Sequence, residues 1–436
     1  MSVKQITILG GGLAGSEAAL QLASNGLRVQ LHEMRPVVKT PAHQTSKMAE
    51  LVCSNSFGSD TAHSASGILK RELLSLGCQL LPIAYAQRVP AGASLAVDRE
   101  LFSAQITAAL QSHPMIEIVR GEATIIPRDQ LTIVATGPLT SQALSQDIRK
   151  LVGLESLYFY DAISPIVSAD SLEMEELYFG NRYDKGDEKD FLNIPLNEEQ
   201  YETLVDDLLS GDVMLPHDFE EEKYFEGCMP IEALAARGRR TLAFGPMKPV
   251  GLNHPKTGKR AHAVIQLRAE NTYRTAYNLV GFQTKLKYPE QLRIFKKLPG
   301  LHEAEFLRLG SMHRNTYLNS PRVLAPSLQL NHHPLICIAG QLTGTEGYLE
   351  SIATGLVAAR TCQAIAEGRS PKTLPLTSML GAILSTITDS TRLNFQPINA
   401  NFGVLPPLDG NRVRDKTLRN TMHAERSEKT LVDYLA

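Results

Sequence analysis

The stretch Gly10-Gly11-Gly12-Leu13-Ala14-Gly15 follows an apolar run, Val3 to Leu9, and opens an alanine-rich helical pattern. The glycines at positions 10, 12 and 15 match the spacing G-x-G-x-x-G. In that motif the first glycine makes a tight turn, the second lets the backbone approach a pyrophosphate, and the third lets helix and strand pack closely. The free N–H groups of the helix N-terminus also favour phosphate. The stretch therefore predicts a Rossmann-type unit that binds a dinucleotide; the alternative is a glycine-rich turn without a ligand.

An acidic residue follows at the distance that this kind of unit needs. The helical pattern stops at Asn25-Gly26, a C-cap signal, and a second strand from Leu27 to His32 delivers Glu33. A carboxylate at that position suits a pair of ribose hydroxyls. The predicted cofactor contacts of this unit are Gly10, Gly11, Gly12, Leu13, Ala14, Gly15 and Glu33.

Length and composition narrow the class of protein. A chain of 436 residues predicts two or three domains, and 43% hydrophobic with 21% charged residues is typical of a globular protein in water. The apolar start is interpreted as a strand rather than a signal peptide, and no apolar run approaches the roughly 20 residues of a membrane span. Five scattered cysteines do not resemble a disulfide framework. We therefore expect a cytoplasmic protein with free thiols and no membrane association.

Two further turns extend the nucleotide unit. A short strand at 131–135 ends in Ala135-Thr136-Gly137, a junction typical of flavoproteins with two dinucleotide domains, although an ordinary strand–turn would look similar. A second strand, 335–339, enters the glycine-rich turn at 340–348 and then a helix at 350–367. The dipole of that helix would face the oxygen-bearing edge of a flavin ring; the alternative is a packing turn. The predicted contacts are Gly340, Gln341, Gly344, Glu346 and Gly347.

These patterns predict an α/β fold in three segments. A Rossmann-like FAD-binding domain of the two-dinucleotide-domain flavoprotein type is expected from 1–150 and 325–436, with an α+β domain inserted at 151–324. The insert is polarised: Ala169–Glu226 contains nineteen acidic and four basic residues, and Lys248–Arg314 contains thirteen basic and four acidic ones. Solvated surface explains the acidic half. The basic half is either solvated or binds a polyanion such as nucleic acid. Its candidate contacts are the turn with Lys256, Lys259 and Arg260 and a second cluster, Lys285, Lys287, Arg293, Lys296 and Lys297.

Two cysteines have loop-like surroundings that suit a reactive thiol. Cys53 precedes Ser54-Asn55-Ser56, and Cys228 lies between a glycine and Met229-Pro230. Cys337 and Cys362 fall in apolar patterns and are expected to pack in the core, as is Cys78 on balance. The cysteine and histidine spacings match no zinc motif, so no metal is predicted. His313 is either a structural histidine or a side chain that stacks on a planar ligand.

Seven runs of this chain together resemble the TrmFO family, the folate- and FAD-dependent tRNA (uracil-5-)-methyltransferases. They span almost the whole chain in order: Gly10–Gly15, Leu51–Ser56, Phe225–Glu232, Phe244–Leu252, Gly310–Tyr317, Gly340–Gly355 and Phe395–Leu408. The related wobble-uridine-modifying flavoprotein MnmG/GidA shares the flavin and folate chemistry, but for it we would expect a longer chain with a C-terminal helical extension. One departure is Phe57-Gly58-Ser59, where the family leads us to expect a Leu-Arg-like sequence.

The resemblance implies a specific reaction. It is C5 methylation of uridine-54 in the T-loop of tRNA to ribothymidine, with carbon from 5,10-methylenetetrahydrofolate, electrons from reduced FAD, and NADPH or NADH as the reductant of the flavin. Cys53 and Cys228 match the family's cysteine motifs. One thiol would attack C6 of uracil and a base would remove the C5 proton; the assignment of these two roles stays open. His313 becomes a candidate to cover the folate pteridine, and the basic segment a candidate to bind tRNA.

Three other classes remain as alternatives. A flavin-dependent oxidoreductase of a small molecule would share every nucleotide motif, but it would not need the two loop cysteines or the basic segment. An S-adenosylmethionine methyltransferase also has a glycine-rich first turn, although the junction at 135–137 and the turn at 340–348 argue against it. An RNA-binding protein that carries FAD only as a structural group would be separated by an activity assay.

Overall fold

The computed structural model describes residues 5–40, 42–153, 157–184, 190–214, 224, 229–255, 257–393, 395–410 and 413–435. Its strands, in chain order, are β1 (Ile6–Leu9), β2 (Val29–Glu33), β3 (Ser56–Ser59), β4 (Arg88–Val89), β5 (Ser94–Val97), β6 (Ile116–Arg120), β7 (Thr132–Val134), β8 (Leu157–Ala162), β9 (Ile166–Ser168), β10 (Tyr178–Phe179), β11 (Phe191–Leu196), β12 (Ala263–Ala269), β13 (Ala276–Leu279), β14 (Phe306–Arg308), β15 (Met312–Tyr317), β16 (Gln329–Leu330) and β17 (His333–Ile338). Its helices are α1 (Leu13–Ser24), α2 (Ala65–Ser75), α3 (Leu80–Ala86), α4 (Arg99–Ser112), α5 (Gln142–Val152), α6 (Glu198–Ser210), α7 (Ile231–Ala236), α8 (Thr241–Phe244), α9 (Tyr288–Phe295), α10 (Ser320–Val323), α11 (Tyr348–Ala366), α12 (Met379–Ile387) and α13 (Lys416–Leu435).

The first sheet has the order β16-β17-β7-β1-β2-β6, and all its pairings except β16 with β17 are parallel. Strand β1 is fully buried, as expected of a parallel strand covered on both faces. Helices α1 and α11 pack so closely that a Cβ atom on Gly355 would lie 2.3 Å from the carbonyl oxygen of Ala14. Because β1, β7 and β17 are parallel neighbours, their carboxyl ends meet at one edge of the sheet, where a Rossmann-type fold binds its ligand.

The local predictions for this sheet are confirmed with small shifts of boundary. The first helix is α1, which ends beside Asn25 and Gly26, and Gly26 has a φ of +79°. The expected strand at 27–32 is β2, and the expected strands at 115–120 and 131–135 are β6 and β7. The helix expected at 99–111 is α4. It begins directly after Asp98, because the Asp98 side chain accepts the N–H groups of Glu100 and Leu101 at 3.1 and 3.0 Å.

The second sheet has the order β10-β11-β12-β13-β9-β14 and is antiparallel throughout. It has a hydrophobic core of its own, drawn from residues 167–304, whereas the core of the first sheet draws on residues 6–148 and 317–431. Strands β8 and β15, at the two ends of this region, pair with each other. This arrangement is the expected nucleotide-binding fold with an inserted α+β region; the residue bounds of the domains stay a prediction.

Three cysteines lie in the core, as predicted. Cys78 is buried, and the Sγ atoms of Cys337 in β17 and Cys362 in α11 lie 3.8 Å apart. Burial raises the pKa of the Cys78 thiol, which makes it a poor nucleophile. Among the helices that the structure describes, none has both the length and the apolar character needed to cross a membrane.

Candidate functional site

A cleft of about 1000 Å³ opens at the carboxyl ends of β1, β2, β7 and β17. Of the predicted cofactor residues, the cleft is lined by Gly10, Gly12, Leu13, Ala14, Glu33, Gly340 and Gln341. The long segment after Glu33 also reaches it through Arg35, Thr40 and His43.

The three fingerprint glycines have different roles. Gly10 has a φ of +102°, and a Cβ atom there would lie 2.5 Å from the Ala135 carbonyl oxygen. A Cβ atom on Gly15 would lie 1.8 Å from the Gly10 carbonyl oxygen, so Gly15 permits the turn to pack on its own helix. A Cβ atom on Gly12 would meet nothing within 4 Å, and no side chain caps α1. The first N–H groups of α1 are therefore left to a ligand, which fits a diphosphate.

Glu33 is held in place by two neighbours. Its Oε2 accepts the Gly11 N–H at 2.9 Å, and its Oε1 accepts both the backbone N–H and Nε of Arg35 at 2.9 Å. Burial alone would raise the pKa of Glu33, but the hydrogen bonds and charge of Arg35 lower it below the ordinary value. Arg35 also pairs with Glu50 at 3.0 Å. The carboxylate therefore stays ionised at the cleft wall, and no sequence pattern had pointed to Arg35 as its partner.

The second glycine-rich turn shapes the opposite wall. Gly340 and Gln341 line the cleft, whereas Gly344, Glu346 and Gly347 build the turn behind it. Glu346 accepts a hydrogen bond from the Gln341 side chain. Gly347 has a φ of +121° and leaves the N-terminus of α11 without a side-chain cap. A second helix N-terminus therefore lies beside the cleft.

Cys53 lies at the same end of the cleft. Its backbone N–H donates to the Tyr348 hydroxyl at 2.7 Å, and Tyr348, the first residue of α11, lines the cleft together with Val52. The Cys53 side chain is partly exposed. The structure thus brings the predicted thiol loop next to the predicted cofactor turn; a catalytic role for Cys53 stays a prediction.

An arginine at the start of α4 and another on β12 hold the Cys53 loop from behind. Arg99 donates to the carbonyl oxygens of Leu51 and, at 3.4 Å, of Cys53, and it pairs with Glu270 at 2.8 Å. Arg268 likewise contacts this loop, because its Nε donates to the Asn55 side chain at 2.9 Å. These contacts join the thiol loop to the second sheet. No sequence signal could have found them, because they connect residues far apart in the chain.

The remaining predicted residues have separate outcomes. Cys228 and Lys256 lie outside the described residues. His313 falls in β15, opposite Asp161 of β8, and its stacking role stays a prediction. Lys259 and Arg260 are exposed on a tight turn and form no ion pair with any residue that the structure describes.

The second basic cluster is partly paired with acidic residues. Lys287 pairs with Asp212 at 3.4 Å, and Arg293 and Lys297 pair with Asp207 at 2.7 and 2.8 Å. Helices α6 and α9 bring the acidic and basic halves of the insert together, so these cations are neutralised in space. A role for this cluster in binding a polyanion stays a prediction, and it would require these three cations to exchange their carboxylate partners for phosphates.

A buried carboxyl group follows the second predicted thiol. Glu232 lies in the first turn of α7, four residues after Cys228, and is 5% exposed. Burial raises the pKa of Glu232 to about 7, although hydrogen bonds from Thr284 and the Lys285 N–H oppose that rise. Glu232 is the last residue of the run Phe225–Glu232, one of the seven that resemble the TrmFO family, but no role was predicted for it.

Potential metal ligands cluster at one place in the described part of the chain. Glu173, Glu176 and His302 have ligand atoms within 4.8 Å of one another on the surface. Exposed acidic groups are common without a metal. No other observation at this place indicates an ion.

The parallel sheet, its two helix N-termini and the cleft between them define a Rossmann-type flavoprotein fold with an inserted region. The family described as "Glucose inhibited division protein A" matches residues 5–370. Two solved structures of Aquifex aeolicus GidA share the fold: their TM-scores are 0.71 and 0.67 at 16% identity, over 98% and 88% of this chain and 75% and 67% of theirs.

Sequence relatives are far more similar. A protein of Geobacter sulfurreducens named "Methylenetetrahydrofolate--tRNA-(uracil-5-)-methyltransferase TrmFO" is 50% identical over 99% of both chains. A protein of the same name from Moorella thermoacetica is 51% identical over 97% of this chain and 96% of its own. The chain belongs to the TrmFO family, and the resemblance inferred from the seven runs is confirmed.

Proposed function

We propose that this protein methylates C5 of a uracil in tRNA, with methylenetetrahydrofolate as carbon donor and FAD as bound cofactor. The observation that carries this proposal is the near full-length match, at 50% identity, to proteins named for that reaction. The cleft between α1 and α11 supports the cofactor, because the first residues of both helices and the Glu33 carboxylate line it.

The cleft residues suit FAD in a defined orientation. The N–H groups at the start of α1, beside Gly12, would hold the pyrophosphate. Glu33, fixed by Arg35 and the Gly11 N–H, would accept the ribose hydroxyls. The start of α11 would face the oxygen-bearing edge of the ring. When bound, the flavin supplies the electrons that convert a methylene group into a methyl group.

The thiols supply the other part of the chemistry. C5 of uracil is a poor nucleophile until a thiolate adds at C6, and the C5 proton must then be removed by a base. We assign these two tasks to Cys53 and Cys228. For Cys53, the bonds from its N–H to Tyr348 and from Arg99 to its carbonyl oxygen fix the loop against the cleft.

The partners follow from the same reaction. The uridine is taken as position 54 of the T-loop, which must leave its stack to reach a thiol at a cost of a few kcal/mol. Lys256, Lys259 and Arg260 would contact phosphates, and His313 would cover the pteridine. NADPH or NADH would reduce the flavin. Free cysteines in the described residues fit a reducing cytoplasm, where tRNA is found.

Two variants test this proposal. The purified protein should show a flavin spectrum and should methylate a T-loop RNA. Cys53→Ala and Cys228→Ala should each abolish methylation while FAD stays bound, and Cys362→Ala, whose thiol packs in the core, should retain it. A colourless protein that FAD cannot reconstitute would refute the cofactor. A yellow protein that oxidises NADPH but never methylates RNA would instead favour a small-molecule oxidoreductase.

A further inference from the structure

Three guanidinium groups converge behind Cys53. Arg99 begins α4, Arg268 lies on β12, and Arg308 ends β14. Each is close enough to interact electrostatically with Cys53 and with Glu270. The single carboxylate that all three share is already engaged, because one oxygen of Glu270 binds Arg99 at 2.8 Å and the other accepts from Asn278. The positive charge of this group therefore exceeds the negative charge of Glu270.

Two of the arginines retain free donors. Arg268 is 9% exposed, and its only hydrogen bond to a described residue runs from Nε to Asn55. Arg308 makes one long contact, 3.5 Å, from Nη2 to the Ala42 carbonyl oxygen. A few side-chain nitrogens and oxygens of the described residues are fully enclosed and have no hydrogen-bond partner. The other guanidinium nitrogens of Arg268 and Arg308 do not belong to that group. These nitrogens are therefore not completely enclosed by the described residues.

Tyr348 links these arginines to the cofactor cleft. Arg268 and Arg308 both interact electrostatically with Tyr348, whose side chain lines the cleft and whose hydroxyl accepts the Cys53 N–H.

An anion is the partner that such groups require. A buried charge without a counter-charge is costly, and the planar fork of a guanidinium matches two oxygens of a delocalised oxyanion. Burial lowers the pKa of Arg268 and of Arg308, and the charge of Arg99 lowers both further. A bound oxyanion would offset both effects.

We propose that Arg268 and Arg308 form a subsite beside Cys53 that binds a delocalised oxyanion of a substrate. The inference rests on the proposed function, and two oxyanions of its reaction are the candidates. One is a carboxylate of the glutamate tail of the folate. The other is O4 of uracil: when a thiolate sulfur bonds to C6, the C5=C6 electron pair shifts towards C4 and O4 becomes an enolate oxygen.

Charge-selective alkylation tests the subsite without requiring methylation. The FAD-loaded protein is treated with iodoacetate, which carries a carboxylate, or with neutral iodoacetamide, and the modification rate of the Cys53 peptide is measured by mass spectrometry. The quantity compared is the rate with iodoacetate divided by the rate with iodoacetamide. Changes in thiol reactivity or in the folded fraction affect both rates equally and therefore cancel in this ratio. We expect the ratio to fall about tenfold in Arg268→Gln and in Arg308→Gln, the effect of one lost charge-assisted contact.

Arg128→Gln is the matched control, because Arg128 is half-exposed, pairs with Asp147 at 2.9 Å and lies in the loop between β6 and β7. At constant ionic strength, added sulfate should lower the ratio of the wild type towards that of the variants. Arg308→Gln keeps the test valid if Arg268→Gln fails to fold, since Arg308 makes only the long contact to Ala42. Equal ratios in wild type, Arg308→Gln and Arg128→Gln would overturn the subsite.

Steady-state kinetics then identify the source of the oxyanion. If the folate tail binds there, KM for the folate should rise about tenfold in both variants, and the difference should vanish with a donor that lacks the glutamate. If the uracil oxygen binds there, kcat and the rate of adduct formation with a 5-fluorouridine T-loop RNA should fall while KM for the folate stays constant. Kinetics identical to wild type with both donors would refute the subsite. A wild-type protein that never methylates RNA would refute the proposed function instead, and the alkylation ratio would still decide the subsite.

Discussion

Two groups of cations in this molecule have opposite surroundings. The paired surface cluster, Lys287, Arg293 and Lys297, is 40–55% exposed, and each member contacts a carboxylate of α6 or the loop after it. The thiol-loop cluster, Arg99, Arg268 and Arg308, shares one carboxylate among the described residues, that of Glu270. Counting charged residues along the sequence identifies the paired surface cluster as basic. The packed structure shows that the unbalanced positive charge lies in the second, beside Cys53.

The largest effect expected from this comparison is on stability. Glu270→Gln removes the carboxylate of the thiol-loop cluster and leaves buried guanidinium groups without a counter-charge. We expect the free energy of unfolding of the FAD-loaded protein in urea to fall by about 3 kcal/mol. Asp207→Asn removes the shared carboxylate of the paired surface cluster, where solvent screening limits the loss to less than about 1 kcal/mol. Equal losses in the two variants would contradict the distinction.

The buried carboxyl group of Glu232 gives the next effect. Because burial raises the pKa of Glu232 from 4.5 to about 7, its neutral form is favoured by folding. That stabilisation is complete below pH 4.5 and is lost as the pH rises through about 7. Between pH 5.5 and 7.5 the wild type should therefore lose about 2 kcal/mol more stability than Glu232→Gln does. Parallel stability curves for the two proteins would show that Glu232 does not titrate in this range.

The smallest effect concerns tRNA binding. Lys259 and Arg260 are exposed without ion pairs to described residues, so they can release counterions from RNA. Lys259→Ala with Arg260→Ala should reduce the slope of log affinity against log salt by about 1 to 2. Arg293→Ala with Lys297→Ala is the matched control and should leave the slope nearly unchanged, because those cations already have carboxylates. A larger change in the control pair would reverse our assignment of the tRNA-facing cations.

The features that could be predicted from the sequence are those that depend on the spacing of residues within a short stretch of chain. The fingerprint at 10–15, the strands beside it and the turn at 340–347 follow from residue spacing, and the structure brings Gly10, Gly12, Glu33 and Gly340 to one cleft. The arginines behind Cys53 could not be predicted, since Arg99 and Arg268 are 169 positions apart and meet only where two sheets pack. The pairing of Arg293 with Asp207 was missed for the same reason: the contact is made by α6 and α9, not by neighbours in sequence.

The transfer of a labelled carbon tests the central claim most directly. The FAD-loaded protein is incubated with 5,10-methylenetetrahydrofolate labelled in its methylene carbon, NADPH and an unmodified tRNA, and the nucleosides are separated. Our account predicts label in 5-methyluridine from the T-loop, one per tRNA, and none when Cys53→Ala replaces the wild type. Unlabelled tRNA, or methylation that requires S-adenosylmethionine instead, would contradict it.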